Sequence, residues 1–157
     1  MDDLHKKLKK FKISLENSNI LDLFSGVGSF GLECLSRGAK NVTFVESYAE
    51  VLNILKKNID NLNQQNHSEV VEKNIFSENT LKLLNDKFDI IFMDPPYKEK
   101  KLFILLNIIT KLKLLNTDGV IIIHRHKKEE EDFPKEFNLI LEKNYGISKI
   151  IFGDILT

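Results

Sequence analysis

The chain is 157 residues long, with apolar residues at 42%, charged residues at 29% and a formal net charge of zero. That length suits one domain with a sizeable core, and the balance of apolar and charged residues argues against disorder over most of the chain. The longest apolar runs, Phe88 to Met93 and Val120 to Ile123, fall far short of the roughly 20 residues of a membrane span, so a cytoplasmic protein with no membrane partner is expected.

Residues 5 to 12, HKKLKKFK, carry five lysines and read as a helical lead-in over 1–17. Asn19 to Phe24 is a first strand, and the turn from Ser25 to Gly28 opens a helix over 29–37 that Gly38 is placed to cap. Asn41 to Glu46 is a second strand, followed by a helix from Tyr48 to Leu62 with apolar positions at 51, 52, 55, 59 and 62. Val70-Val71 marks a short third strand, and a helix follows near 77–85. Phe88 to Met93, apolar at nearly every position, is a fourth strand buried on both faces. Leu102 to Leu115 is a helix, Asp118-Gly119 a turn and Val120 to His124 a fifth strand. Asn138 to Glu142 and Ser148 to Phe152 lie too close for a crossover helix, so the sheet should end in an antiparallel pair. This alternation predicts an α/β fold: a mostly parallel sheet of seven strands with helices on both faces.

Gly26-Val27-Gly28-Ser29-Phe30-Gly31 matches G-x-G-x-x-G between a predicted strand and a predicted helix. Glycines there allow a tight turn and close ligand approach, which implies a nucleotide-like cofactor. Glu46 follows Gly26 by twenty residues at the end of the second strand, where a carboxylate can accept from ribose hydroxyls. Asp22, four residues before Gly26, puts an acid near the loop. A pyrophosphate would be repelled there, whereas S-adenosylmethionine carries an ammonium and a sulfonium. Plain alternatives stand beside these readings: a strand-end cap for Asp22, an exposed strand-end carboxylate for Glu46 and an ordinary tight turn for the glycines.

Asp94-Pro95-Pro96-Tyr97 follows the fourth strand, which should lie beside the first at the switch point of the sheet. The Asp94 carboxylate and the Pro95 carbonyl can accept the two hydrogens of an exocyclic amine, letting its nitrogen attack a methyl group held in line. The prolines stiffen the turn, and Tyr97 offers a ring for a flipped or single-stranded base. The alternative is a strand-terminating turn with a surface tyrosine. His124, Arg125 and His126 follow the fifth strand, where a role near the substrate is open but an ordinary polar strand end is the favoured reading; no third metal ligand is evident nearby and no metal is expected. Cys34 reads as a small buried side chain.

DLFSGVGSFGLECLSRGAKNVTFVE, followed by DPPY and YGISKIIFG, resembles the RsmD family, bacterial S-adenosylmethionine-dependent methyltransferases acting on guanine N2 of small-subunit ribosomal RNA. The likeness runs over residues 18 to 153 and implies a class I methyltransferase fold, a methyltransferase domain over 18–157 and ribosomal RNA as partner. It implies that Asp22, Gly26, Gly28 and Glu46 serve the cofactor and Asp94 to Tyr97 the base. Phe24, Ser29, Phe30, Gly31, Ser47 and Ile75 are counted with the cofactor site. Asn74 stands where such enzymes usually have an acid for the adenine amine, and its amide oxygen can accept the same bond. The family's N-terminal extension, which helps hold RNA, has no counterpart here: either the chain is minimal or its true start lies upstream. Lys6, Lys7, Lys9, Lys10 and Lys12 would then contact phosphates, or simply form a solvated helix face. A monomer is expected. Two other functions remain open, an adenine-N6 DNA or RNA methyltransferase and a non-catalytic RNA-binding assembly factor that keeps the fold.

Overall fold

The computed structural model describes residues 13–157. Strands β1 (Asn19–Leu23), β2 (Asn41–Val45), β3 (Ser68–Val71), β4 (Phe88–Met93), β5 (Leu115–His126), β6 (Phe137–Tyr145) and β7 (Ser148–Ile155) form one sheet in the order β3-β2-β1-β4-β5-β7-β6. The first five in that order pair in parallel, and β7 runs antiparallel to both β5 and β6. The chain reverses direction across the sheet between β1 and β4, whose carboxyl ends therefore flank a crevice.

Among the described residues four α-helices cover the sheet: α1 (Ser29–Ser36), α2 (Ala49–Asn61), α3 (Glu78–Lys82) and α4 (Leu102–Lys111). Because side chains alternate along a strand, Ile20 faces Phe30, Leu35, Leu52 and Leu55 of α1 and α2, while Leu21 and Leu23 face Leu81, Leu105 and Ile109 of α3 and α4. Each face thus buries its own apolar core, which explains why β1 and β4 are apolar on both sides. Asp89 ties the amino-terminal edge of this arrangement, accepting from Asn19 N at 2.9 Å and from Asn116 Nδ2 at 2.8 Å.

Three expectations are corrected. Helix α4 ends at Lys111, and Leu115 already opens β5. Asp118-Gly119 lies inside β5, in a bulge where Leu115 pairs with Phe88 but Val120 with Ile90, so the extra residues loop out of register without ending the strand. Leu62 is 54% exposed, because α2 has already ended and its carboxyl end turns toward solvent. Gly38 caps α1 as expected: it adopts φ 98°, donates to Leu35 O, and Ala39 donates to Cys34 O, which closes a Schellman turn.

Candidate active site

The chain leaves β1 through Phe24, at φ 57°, and enters a turn in which Gly28 N donates to Ser25 O at 2.9 Å. Gly26 and Gly28 adopt φ 54° and 88°, a region open to glycine at no steric cost. This sharp course brings the loop over the end of β2, where Glu46 takes hold of it. Its Oε2 accepts from Gly26 N at 3.0 Å, and its Oε1 accepts from Ser47 N at 2.8 Å and Tyr48 N at 3.0 Å. Three backbone donors therefore fix the carboxylate, with acceptor capacity left on Oε2.

Asp22 lies beneath the loop. It is 2% exposed, and its Oδ2 accepts from Gly31 N at 3.1 Å in the first turn of α1. Burial pushes its carboxyl up to about 8, against the opposing pull of the Gly31 N–H, and Asp94 and Glu46 add negative charge nearby. Gly31 lets α1 sit on the sheet, since a Cβ there would come within 2.4 Å of the Phe44 ring. Phe30 stacks on Phe92 with centroids 3.8 Å apart, which packs α1 against β4.

A cavity of about 610 Å³ opens at the carboxyl ends of β1, β2 and β4. Of the expected residues, Phe24, Glu46, Ser47, Asn74, Ile75, Asp94 and Pro96 line it. Gly26 adjoins it through its hydrogen bond to Glu46, whereas Asp22 and Gly31 bond each other behind the lining. Ser29 faces a separate hollow between α1 and α2, with Glu33 and Asn58. Pro95 is buried, and Tyr97 stands 62% exposed at the rim. The Asn74 Oδ1 already accepts from Phe76 N at 2.9 Å, so its side chain also shapes the turn after β3. The lysines at 6, 7, 9, 10 and 12 lie outside the described residues.

Several lining residues carry no sequence signal of their own. Tyr48, Lys73, Phe76 and Glu99 complete the wall. More consequential is the end of β5, where each of three consecutive side chains meets the Asp94–Tyr97 segment. His124 Nδ1 lies 2.9 Å from Asp94 Oδ1, and that bond holds the imidazolium above the usual histidine range. Arg125, with a side chain only 1% exposed, donates from Nη1 to Pro96 O at 3.2 Å and from Nη2 to Glu99 O at 2.8 Å, while its Nε bonds Glu131. His126 meets the Tyr97 ring edge-on, centroids 6.0 Å apart. These residues lie within the fifth strand, not after it. Their spacing to Asp94 is set by the β4–β5 register, with Met93 opposite Ile123, and no local motif announces it.

The family model described as "Conserved hypothetical protein 95" matches residues 4–154. The chain belongs to this family. Family members named "Ribosomal RNA small subunit methyltransferase D" include one from Buchnera aphidicola subsp. Acyrthosiphon pisum, 36% identical over 133 residues that cover 82% of this chain and 66% of the relative. Another, from Haemophilus influenzae, is 31% identical over 134 residues covering 85% and 69% respectively. The chain therefore spans about two thirds of the length of these curated relatives. The solved structure of HI0767 from Haemophilus influenzae, described as a candidate methylase, is 30% identical with a TM-score of 0.84, over 99% of this chain and 98% of that one. The RsmD resemblance and the class I methyltransferase fold, antiparallel strand pair included, are thereby borne out.

Proposed function

We infer that this protein is an S-adenosylmethionine-dependent methyltransferase acting on the exocyclic N2 amine of a guanine in small-subunit ribosomal RNA. One observation carries the reading: Glu46 and Asp94, delivered by strands on either side of β1, line a single cavity. Its relatives' names supply the substrate class. Residues 18–157 form the methyltransferase domain in this reading, acting as a monomer in the cytoplasm, with Lys6, Lys7, Lys9, Lys10 and Lys12 as phosphate contacts.

The residues fit the cofactor on two counts. The cavity matches the range usual for small-molecule sites, and Glu46 is an acceptor already held rigid by Gly26, Ser47 and Tyr48. Glu46 would take a ribose hydroxyl and Ser47, Asn74 and Ile75 the adenine. When bound, S-adenosylmethionine supplies an electrophilic methyl group on its sulfonium.

The chain's own part is placement. Asp94 and the Pro95 carbonyl accept the hydrogens of the amine, directing its lone pair toward the methyl group and supporting the positive charge that develops on nitrogen. Arg125 keeps the turn that carries both acceptors from moving. Tyr97, open at the rim, stacks on the base.

Labelled methyl transfer to small ribosomal subunits, naked ribosomal RNA and DNA, followed by nucleoside analysis, tests the proposal. Label in N2-methylguanosine is expected. Label in N6-methyladenine would replace it with the adenine-N6 enzyme, and cofactor binding without transfer to any substrate would favour the assembly factor. Asp94→Ala should abolish transfer while cofactor affinity stays within a few-fold.

A further inference from the structure

The Asp94 side chain is about half exposed, at 52%, and has one side-chain partner described, His124. A carboxylate can only accept, so the facing Nδ1 of His124 carries the hydrogen and donates it to Oδ1. Oδ2 is then the oxygen left to meet an amine. We propose that His124 is a positioning residue for methyl transfer, fixing Asp94 through Oδ1 and setting, by the charge on its ring, how strongly the carboxylate supports the amine.

The proposal rests on the methyltransferase reading of the site. As the amine nitrogen bonds the methyl carbon, the sulfur keeps the electron pair of the bond that breaks. The nitrogen becomes cationic and releases one proton, through Asp94, to water at the open cleft. A neutral His124 leaves the Asp94 charge uncompensated for this step. An imidazolium neutralises it and weakens its pull on the amine. The Asp94 bond raises the His124 ionisation above the ordinary histidine value, so the ring keeps its charge to higher pH than a free imidazole.

The surroundings leave Asp94 as the dominant partner. Across β7 the residue opposite is Ile150, and Lys143 lies one strand further, on β6. Lys149, beside Ile150, is bound to Glu129 O and lies 3.9 Å from Glu142. On β5, Arg125 is engaged by Glu131 and the Pro96–Glu99 turn, and His126 lies two positions on. On the face covered by α1, Glu33 pairs with Arg37, and Asp22 and Glu46 stand beyond Asp94.

The test combines two readouts on the full chain. Histidine-resolved NMR titration should show His124 ionising above the ordinary histidine value in the wild type and falling toward it in Asp94→Asn; equal titration in the two proteins would overturn the pairing, whether or not any RNA is methylated. With a methylatable RNA, wild-type kcat should climb with pH as His124 loses its charge, as a single ionisation requires. His124→Asn keeps a donor toward Asp94 without a charge and should flatten that limb. His124→Ala should lower kcat by about tenfold to a hundredfold, the scale of a misplaced group, with cofactor KM within twofold. A limb that persists in His124→Asn belongs to another group, Asp22 foremost, and overturns the proposal. Failure of transfer to every substrate would instead sink the reading of function and leave the titration to decide the pair.

Discussion

Arg125 Nη1 lies 3.2 Å from the carbonyl oxygen of Pro96, joining a buried guanidinium on β5 to the middle of the turn that follows β4. The same side chain reaches Glu99 O and Glu131, so one residue ties the middle and the far end of the turn to the sheet. A lysine could occupy the position but has no fork with which to serve two carbonyls and a carboxylate together. Arg125→Lys is therefore expected to cost roughly 1–3 kcal/mol of stability in denaturant unfolding, the scale of leaving a buried polar group unpaired. It should lower kcat more than it raises the cofactor KM, since the turn positions the base. Equal effects on both parameters would mean that Arg125 supports the sheet as a whole.

Glu46 offers a separate test of the cofactor half. It anchors the glycine loop at Gly26 and the start of α2 at Ser47 and Tyr48. Glu46→Ala removes a charged acceptor from both, and isothermal titration should show cofactor affinity falling by roughly 10- to 100-fold, as expected for losing a hydrogen bond to a charged group. An unchanged dissociation constant would show that the ribose is held elsewhere.

Asp22 makes a pH prediction with a definite sign. Its carboxyl ionises at about 8 in the folded chain against 3.8 ordinarily, so the native state holds a proton that the unfolded state releases between those values. Its contribution to stability is fully present below about 3.8 and is lost as pH rises toward 8, at about 1.4 kcal/mol per unit. Asp22→Asn keeps an oxygen for the Gly31 N–H but cannot ionise. It should match the wild type near pH 4 and exceed it at pH 8 in thermal unfolding. A cationic cofactor favours the ionised acid, so wild-type binding should tighten from pH 6 to 8 and Asp22→Asn should lose that dependence. A variant as pH-sensitive as the wild type would remove Asp22 from both effects.

The parts legible in the sequence were those whose signal is local. The glycine loop, Glu46 at twenty residues' distance and the Asp94–Tyr97 turn each sit next to a strand whose apolar run marks it, and the strand order brings them together. Elsewhere the signal is weak or distant. Helix α4 ends in a Schellman turn, with Lys113 donating to Thr110 O and Leu114 to Ile109 O, but the left-handed position at φ 52° is filled by Lys113 where glycine is the usual sign. The apolar Leu112-Lys113-Leu114-Leu115 therefore reads as more helix. For His124 and Arg125 the sequence leaves a role near the substrate open but does not show their partners in the Asp94–Glu99 segment, which lie 26 to 30 residues away and are revealed only by the parallel register of β4 and β5.

Gly31 joins the fold to the site and can be tested by the smallest possible change. It lies in α1, where alanine is intrinsically the better helix former by about 1 kcal/mol, so propensity alone predicts that Gly31→Ala stabilises. Packing predicts the reverse. The new methyl would stand 2.4 Å from Phe44 Cε1 and 2.7 Å from Val42 Cγ1, and both of those side chains are held in the core of β2. To relieve the clash α1 must lift, which stretches the Gly31 N to Asp22 Oδ2 bond and shifts the glycine loop that Glu46 holds. Overpacking should win, with a net loss of roughly 1–3 kcal/mol in denaturant unfolding and weaker cofactor binding. A more stable protein with unchanged affinity would show that the α1–β2 contact has slack, and that the glycine serves the loop by its backbone alone.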